Sequence, residues 1–154
     1  MSTGIIEKPR ISRYIARITP PPFTGIAVAV DYANIGLDPD ISLYERYNAV
    51  STAVRLLATI RREQFVTSIN KLLVDSGLCE KFKDIGVDVC RGERGRVAGD
   101  EEIVKNLVKL VNMCERGEIP VTEELVFTLA QAVITTLVPQ LKTIQVTQAP
   151  EEIT

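Results

Sequence analysis

Arg10, Arg13 and Arg17 recur at i, i+3 and i+7, the spacing that gathers three guanidinium groups on one face of a helix. Pro9 stands where a first helical residue tolerates proline, because its missing N–H would be unpaired there anyway. The three arginines cover about 10 Å of helix, comparable to two or three phosphates along one strand. Each guanidinium therefore has the reach to fork onto its own pair of oxygens, with Lys8 beside them. Contacts of this kind position a polyanion without reading its sequence. Ile11, Ile15 and Ile18 form an apolar face next to the basic one, with Tyr14 close by. A lone helix of this length is marginal in water, so the apolar face calls for an external support. Three partners compete for the arm: phosphate, the acidic body of a neighbouring subunit, and a membrane surface.

Further arginines extend the set of candidate phosphate contacts. Arg55, Arg61 and Arg62 decorate the first long helical stretch, and Arg91, Arg94 and Arg96 punctuate a glycine-rich loop. That loop, Arg91-Gly-Glu-Arg-Gly-Arg96, lacks the G-x-x-x-x-G-K-[ST] pattern of a phosphate-cradling P-loop. Net charge is −2 over 154 residues, which argues against a generic polybasic binder. Its distribution says more: residues 1–19 hold four basic residues against Glu7, and residues 91–96 hold three against Glu93. Positive charge gathers in an arm and a loop, and negative charge on the body and tail.

Catalysis finds little to work with. There is no histidine in the chain, so the usual general acid/base and every Ser-His or Cys-His pair are missing. Asp100-Glu101-Glu102 and Glu123-Glu124 open helical stretches, where the helix dipole explains carboxylates without a site. Cys79, Cys90 and Cys114 are too few for a structural zinc site without histidine. One disulfide is possible, and free buried thiols are the favoured reading. The expectation is a protein without enzymatic activity, metal, cofactor or small-molecule substrate. Met1–Arg10 has no apolar core of a signal peptide. The most apolar window, Leu125–Val138, is interrupted by Thr128, Gln131, Thr135 and Thr136, so no membrane span is expected.

The elements that must position these residues read as helices. Hydrophobic residues make up 45% of the chain and aromatics 5%, with no tryptophan, so the core must be aliphatic. Thr24–Gly36 is apolar or small at nearly every position and fits either a strand or a short helix; the helix is favoured, because no second strand is on offer. Asp38-Pro39 looks like a helix start. Leu43, Tyr47, Val50, Val54 and Leu57 then form a seam that shifts to Phe65, Ile69 and Leu72, so the helix bends there or runs on to Ser76, with Gly77 as its stop. Leu78–Ile85 adds a turn or two of helix, and Gly86–Gly99 is loop. Asp100 is expected to cap a helix with the buried stripe Ile103, Leu107, Leu110 (or Val111) and Cys114. Thr122 caps the last helix, which is stopped or kinked at Pro139. That helix is apolar nearly all round and belongs at a bundle centre or a subunit interface. The expected fold is all-α, a bundle of three to four helices. Residues 1–24 form a basic arm, 25–139 the helical body and 140–154 an extended C-terminal tail. Ile11, Ile15 and Ile18 of the arm, with Leu125, Leu129 and Val133 of the last helix, are the expected subunit contacts.

A basic, proline-punctuated arm on an aliphatic, all-helical body resembles the major capsid proteins of rod-shaped and filamentous archaeal viruses. The resemblance is architectural and covers the chain without a diagnostic motif. It implies a small helical-bundle subunit, paired as a homo- or heterodimer, that self-assembles into a filament and wraps double-stranded DNA in an A-form geometry. Only Lys8, Arg10, Arg13 and Arg17 map onto the family's DNA-wrapping arm. The slightly acidic chain departs from the basic coat expected, which brings in a second, more basic coat subunit as partner beside copies of the chain itself. The location implied is the virion, with the cytoplasm as the alternative. Two other function classes fit the same residues: a small helical subunit of an RNA-guided nucleoprotein complex, and a protein-only helical adaptor.

Overall fold

The computed structural model describes residues 24–61 and 65–153, with side chains as far as Leu141. The arm residues Lys8, Arg10, Arg13, Arg17, Ile11, Ile15 and Ile18, and also Arg62, lie outside the described residues. The described chain is all-α, with no strand among the described residues. Among the described residues there are six helices, where periodicity suggested a bundle of three to four: α1 (Thr24–Ile35), α2 (Leu43–Leu57), α3 (Ile69–Asp75), α4 (Leu78–Ile85), α5 (Asp100–Glu115) and α6 (Glu123–Ile153).

Helix α6 organises the rest. Leu125, Val126, Leu129, Ala130, Ala132, Val133 and Leu137 are fully buried, so it cannot lie on a surface. Its Glu123–Leu141 stretch is long and apolar enough for a membrane span by composition, at mean hydropathy 1.4, but 61% of that window is buried in the fold. Helices α1, α2, α3 and α4 all pack against it, while α5 packs on α2 and α3. Thr24–Gly36 resolves as helix α1, buried almost all round through Ile26, Ala27, Ala29, Val30 and Ala33. Its alanines allow close approach, and Gly36 completes the contact: a Cβ there would run into the Val50 side chain and press on Ala130.

Several expected boundaries move. The cap of α2 is Ser42, whose Oγ accepts from the Glu45 N–H at 3.2 Å. Asp38 instead turns the chain before it, accepting from the Asp40 N–H at 2.9 Å. Helix α2 ends at Leu57, and the run to Ser76 is broken by a linker. A tertiary contact holds that linker: Gln140 on α6 accepts from the Val66 N–H at 2.7 Å and donates to the Thr67 carbonyl at 3.4 Å. Gly77, left-handed at φ 80°, ends α3 as expected. Asp100 is the first residue of α5 and not its cap. Gly99 precedes it, with its N–H donating to Glu102 at 3.1 Å. Thr122 caps α6 as expected, accepting from the Leu125 N–H at 3.1 Å.

Pro139 neither stops α6 nor leaves an extended tail behind it, since the helix continues to Ile153. Proline removes one i→i−4 bond, yet Gln140 and Leu141 just beyond it are buried. Burial of Gln140 and Leu141, together with the Gln140 bonds to the linker, outweighs the local penalty. Cys79 and Cys90 form a disulfide across 5.7 Å between Cα atoms, against the expectation of free thiols, while Cys114 is free and buried.

These restraints differ in strength, and unfolding measurements can rank them. Arg46 is buried, donating from Nε to the Gly36 carbonyl at 3.0 Å and from Nη1 to Glu123 at 2.6 Å. Its side chain is 4% exposed against 70% for Glu123, so Glu123→Ala strands a buried cation and is expected to cost about 3 kcal/mol. Glu115→Ala breaks the half-exposed pair with Arg55 and is expected to cost under about 1 kcal/mol. Urea unfolding of both variants checks the contrast. The disulfide closes an 11-residue separation, so chain entropy predicts a loss of about 3 kcal/mol on reduction, read from the same unfolding curves with and without reductant.

Candidate functional site

Helix α5 has two faces. Ile103, Leu107, Leu110, Val111 and Cys114 are buried against the body, as the periodicity predicted. One step around the helix, Val104 and Val108 are half-buried, and beside them Lys105 and Lys109 are exposed. This second face forms one wall of a groove of about 650 Å³. The opposite wall is the end of α2 with the linker: Leu57, Ile60, Phe65 and, at the start of α3, Ile69. The floor is therefore aliphatic with one aromatic ring, and the rim is charged. An open apolar surface rimmed by polar groups is the usual form of an interaction site.

The walls are pinned at both ends. Tyr47 on α2 donates its hydroxyl to the Val111 carbonyl at 3.2 Å, and Arg55 reaches Glu115 at 2.8 Å. At the other end Asp100 accepts from Ser68 Oγ at 3.2 Å and from the Asn70 N–H at 3.3 Å, tying α5 to the start of α3. Asp100 thus spends its charge on the scaffold. Arg116 at the far rim is forked by Glu118 at 2.7 and 3.4 Å. Their shared hydrogen bonds raise the arginine and lower the glutamate from their ordinary values. Lys105 and Lys109, at i and i+4, make no ion pair among the described residues, and they share the groove's rim with the carboxylate of Glu101 one turn earlier on α5.

The thiol of Cys114 is buried behind α5, and burial followed by the Glu115 charge pushes it up, away from the thiolate a nucleophile needs. Among the described residues no group of three or more His, Cys, Asp or Glu is placed to hold a metal ion.

The arginines expected at phosphate are scattered and mostly engaged. Arg55 is held by Glu115. Arg91 pairs with Asp88 at 3.5 Å and donates to the Gly95 carbonyl at 2.9 Å, and Arg96 pairs with Glu102 at 3.6 Å. Arg94 is exposed at the loop tip in a left-handed conformation, φ 60°. Arg61 is exposed just past α2. Leu125, Leu129 and Val133, expected between subunits, are each 0% exposed in the chain's own core and have no surface left for a neighbour. The lysine pair escaped the sequence reading, although its i, i+4 spacing beside Val104 and Val108 was visible. The facing wall was not, because the 57–69 stretch read as continuing helix. The chain matches no protein-family model, no curated protein and no solved structure.

The Tyr47 hydroxyl gives a readable marker of the α2–α5 clamp. Burial, followed by the neighbouring Cys114 and Glu115, pushes it up to about 12, against a partial lowering by Arg55. Below pH 10 the folded and unfolded chains both hold this proton, so it adds no pH dependence. Between pH 10 and about 12 the unfolded chain loses it first, and stability should fall as pH rises. Tyr47→Phe should lose about 1 kcal/mol at neutral pH and flatten that alkaline slope, as measured by urea unfolding at a series of pH values.

Proposed function

We propose that the protein is a structural, self-assembling subunit in which the helical body makes protein contacts and the basic N-terminal arm grips a polyanion. The groove along α5 supports the first half: an open apolar floor with walls tied together by hydrogen bonds and a charged rim is what a docking surface needs and what a solvent face does not. No reaction chemistry enters this reading.

The second half is supported by the uneven spread of positive charge. The body's Arg55, Arg91 and Arg96 already face carboxylates, and a phosphate would have to displace those partners. The arm, residues 1–19, carries four basic residues against one acid, so it is the segment suited to phosphate. Double-stranded DNA is the polyanion proposed, packaged through its backbone as a coat or nucleoprotein subunit would do.

The same pairings favour a second reading, a protein-only adaptor whose surface arginines serve the fold. A gel shift at low salt with duplex and single-stranded DNA separates them. Arg10→Ala, Arg13→Ala and Arg17→Ala together should weaken duplex binding on all sequences alike and lower the salt slope by nearly one unit for each arginine removed. Arg55→Ala, Arg91→Ala and Arg96→Ala together should change affinity less than about twofold. Preference for single strands would point to an RNA-guided type of complex. Absence of any shift would leave the adaptor.

A further inference from the structure

Among the described residues, left-handed backbone falls at Gly77, Gly86, Gly95 and Gly117, where no Cβ crowds the turn, and at one arginine. That residue, Arg94, has φ 60° and ψ 25°. A side chain in this conformation destabilises the fold relative to glycine. Its guanidinium offsets none of that loss. Arg46, Arg55, Arg91, Arg96 and Arg116 each face a carboxylate, whereas Arg94 is exposed and makes no ion pair among the described residues.

The loop that holds Arg94 is tied down on both sides of its tip. The Gly92 N–H donates to the Arg96 carbonyl at 2.6 Å, and Arg91 donates across the tip to the Gly95 carbonyl at 2.9 Å. Below the tip, the Ala98 N–H donates to the Cys90 carbonyl at 2.9 Å. Cys90 is bonded to Cys79 on α4, and Asn106 on α5 holds the Val89 and Arg91 carbonyls. Two helices therefore fix the base, and the tip carries one guanidinium at a set place. A strained residue that its surroundings hold in position points to a use for its side chain. With no carboxylate of the fold to meet it, that use lies outside the chain.

Charge decides what Arg94 meets. Asp88 and Glu102 match the neighbouring arginines, and Glu93 is exposed beside Arg94, so the tip is a point cation and not a basic patch. Residues 20–154 carry a net −5, and the arm carries +3. A duplex gripped by the arm is repelled by most of the body. A planar fork suits phosphate and carboxylate alike, but the arm's cations gather phosphate beside the body, and that selects phosphate.

We propose that Arg94 is a phosphate contact, set by the stapled loop against one backbone phosphate of the duplex that the N-terminal arm grips. The contact rests on the packaging reading above and adds to it a fixed point on the body. The loop is ordered beforehand, so little freedom is lost on binding. Its target is backbone, so it reads no sequence.

Duplex binding by the full chain across a salt series, with urea unfolding of each variant, tests this. Arg94→Gly should raise the urea midpoint, weaken binding at low salt about threefold or more, and lower the salt slope by roughly 0.9. Arg94→Lys keeps the point charge and should hold the slope within about 0.3 of wild type. Glu93→Gln should strengthen binding by about twofold. An Arg94→Gly protein that binds duplex with wild-type affinity and slope overturns the proposal. If Arg10→Ala, Arg13→Ala and Arg17→Ala together still weaken binding, the packaging reading then stands without it. A urea midpoint that falls in Arg94→Gly also overturns the proposal, because the side chain would then serve the fold. A wild type that shifts no duplex at low salt removes the packaging reading and this contact together.

Discussion

The structure depends on one demand: a helix that is apolar around most of its circumference must be covered there. Between Leu125 and Leu141, α6 is apolar or small around most of its circumference, with a half-exposed stripe through Phe127, Gln131, Ile134 and Thr135, and each large aliphatic side chain taken from water contributes about 1.5–3 kcal/mol. Four helices answer that demand. Helix α1 does so with alanines and Gly36, where any Cβ would meet Val50 and Ala130. This enclosure uses up Leu125, Leu129 and Val133 inside the chain. Among the described residues, the groove between α5 and the wall of Leu57, Ile60, Phe65 and Ile69 is one apolar surface left open, beside exposed side chains such as Tyr44, Val97 and Phe127.

Polar side chains set where the outer elements lie. Arg46 joins the turn after α1, through the Gly36 carbonyl, to the first residue of α6. Gln140, buried on α6, satisfies the backbone of the linker at Val66 and Thr67. Asn106 on α5 donates to the carbonyls of Val89 and Arg91, holding the loop that the Cys79–Cys90 disulfide also anchors. A loop or linker buried against a helix needs partners for its backbone, and here long amide and guanidinium side chains supply them. Both walls of the groove include residues tied in this way, α5 through Asn106 and the segment beside Phe65 through Gln140.

Charge is sorted by the same economy. Most carboxylates near an arginine on the body are matched to it, as in Arg55–Glu115, Arg91–Asp88 and Arg96–Glu102. Exposed pairs of this sort add little stability, but they lower the pull of the body on an external anion. The lysines of α5 lack such partners among the described residues. Paired arginines thus mark the body, Lys105 and Lys109 lie along the groove, and residues 1–19 hold four of the chain's basic residues.

Local pattern in the sequence determined the helical class, the buried stripe of α5 and the Thr122 cap, while it left Thr24–Gly36 open between strand and helix and α6 open between a bundle centre and a subunit interface. Each feature it determined follows from residues within a few positions of one another, where side-chain period and capping act directly. Only the tertiary structure decided the rest. The seam Leu57, Phe65, Ile69, Leu72 keeps a helical spacing although its members belong to separate segments, because Leu57 and Ile69 are both drawn into one core from different sides. Pro139 signals a stop that burial of Gln140 and Leu141 overrides. Cys79 and Cys90 meet because the chain reverses after α4 at Gly86, left-handed at φ 107°. The groove exists for the same reason: its two walls are remote in sequence, and only packing brings Val108 opposite Phe65.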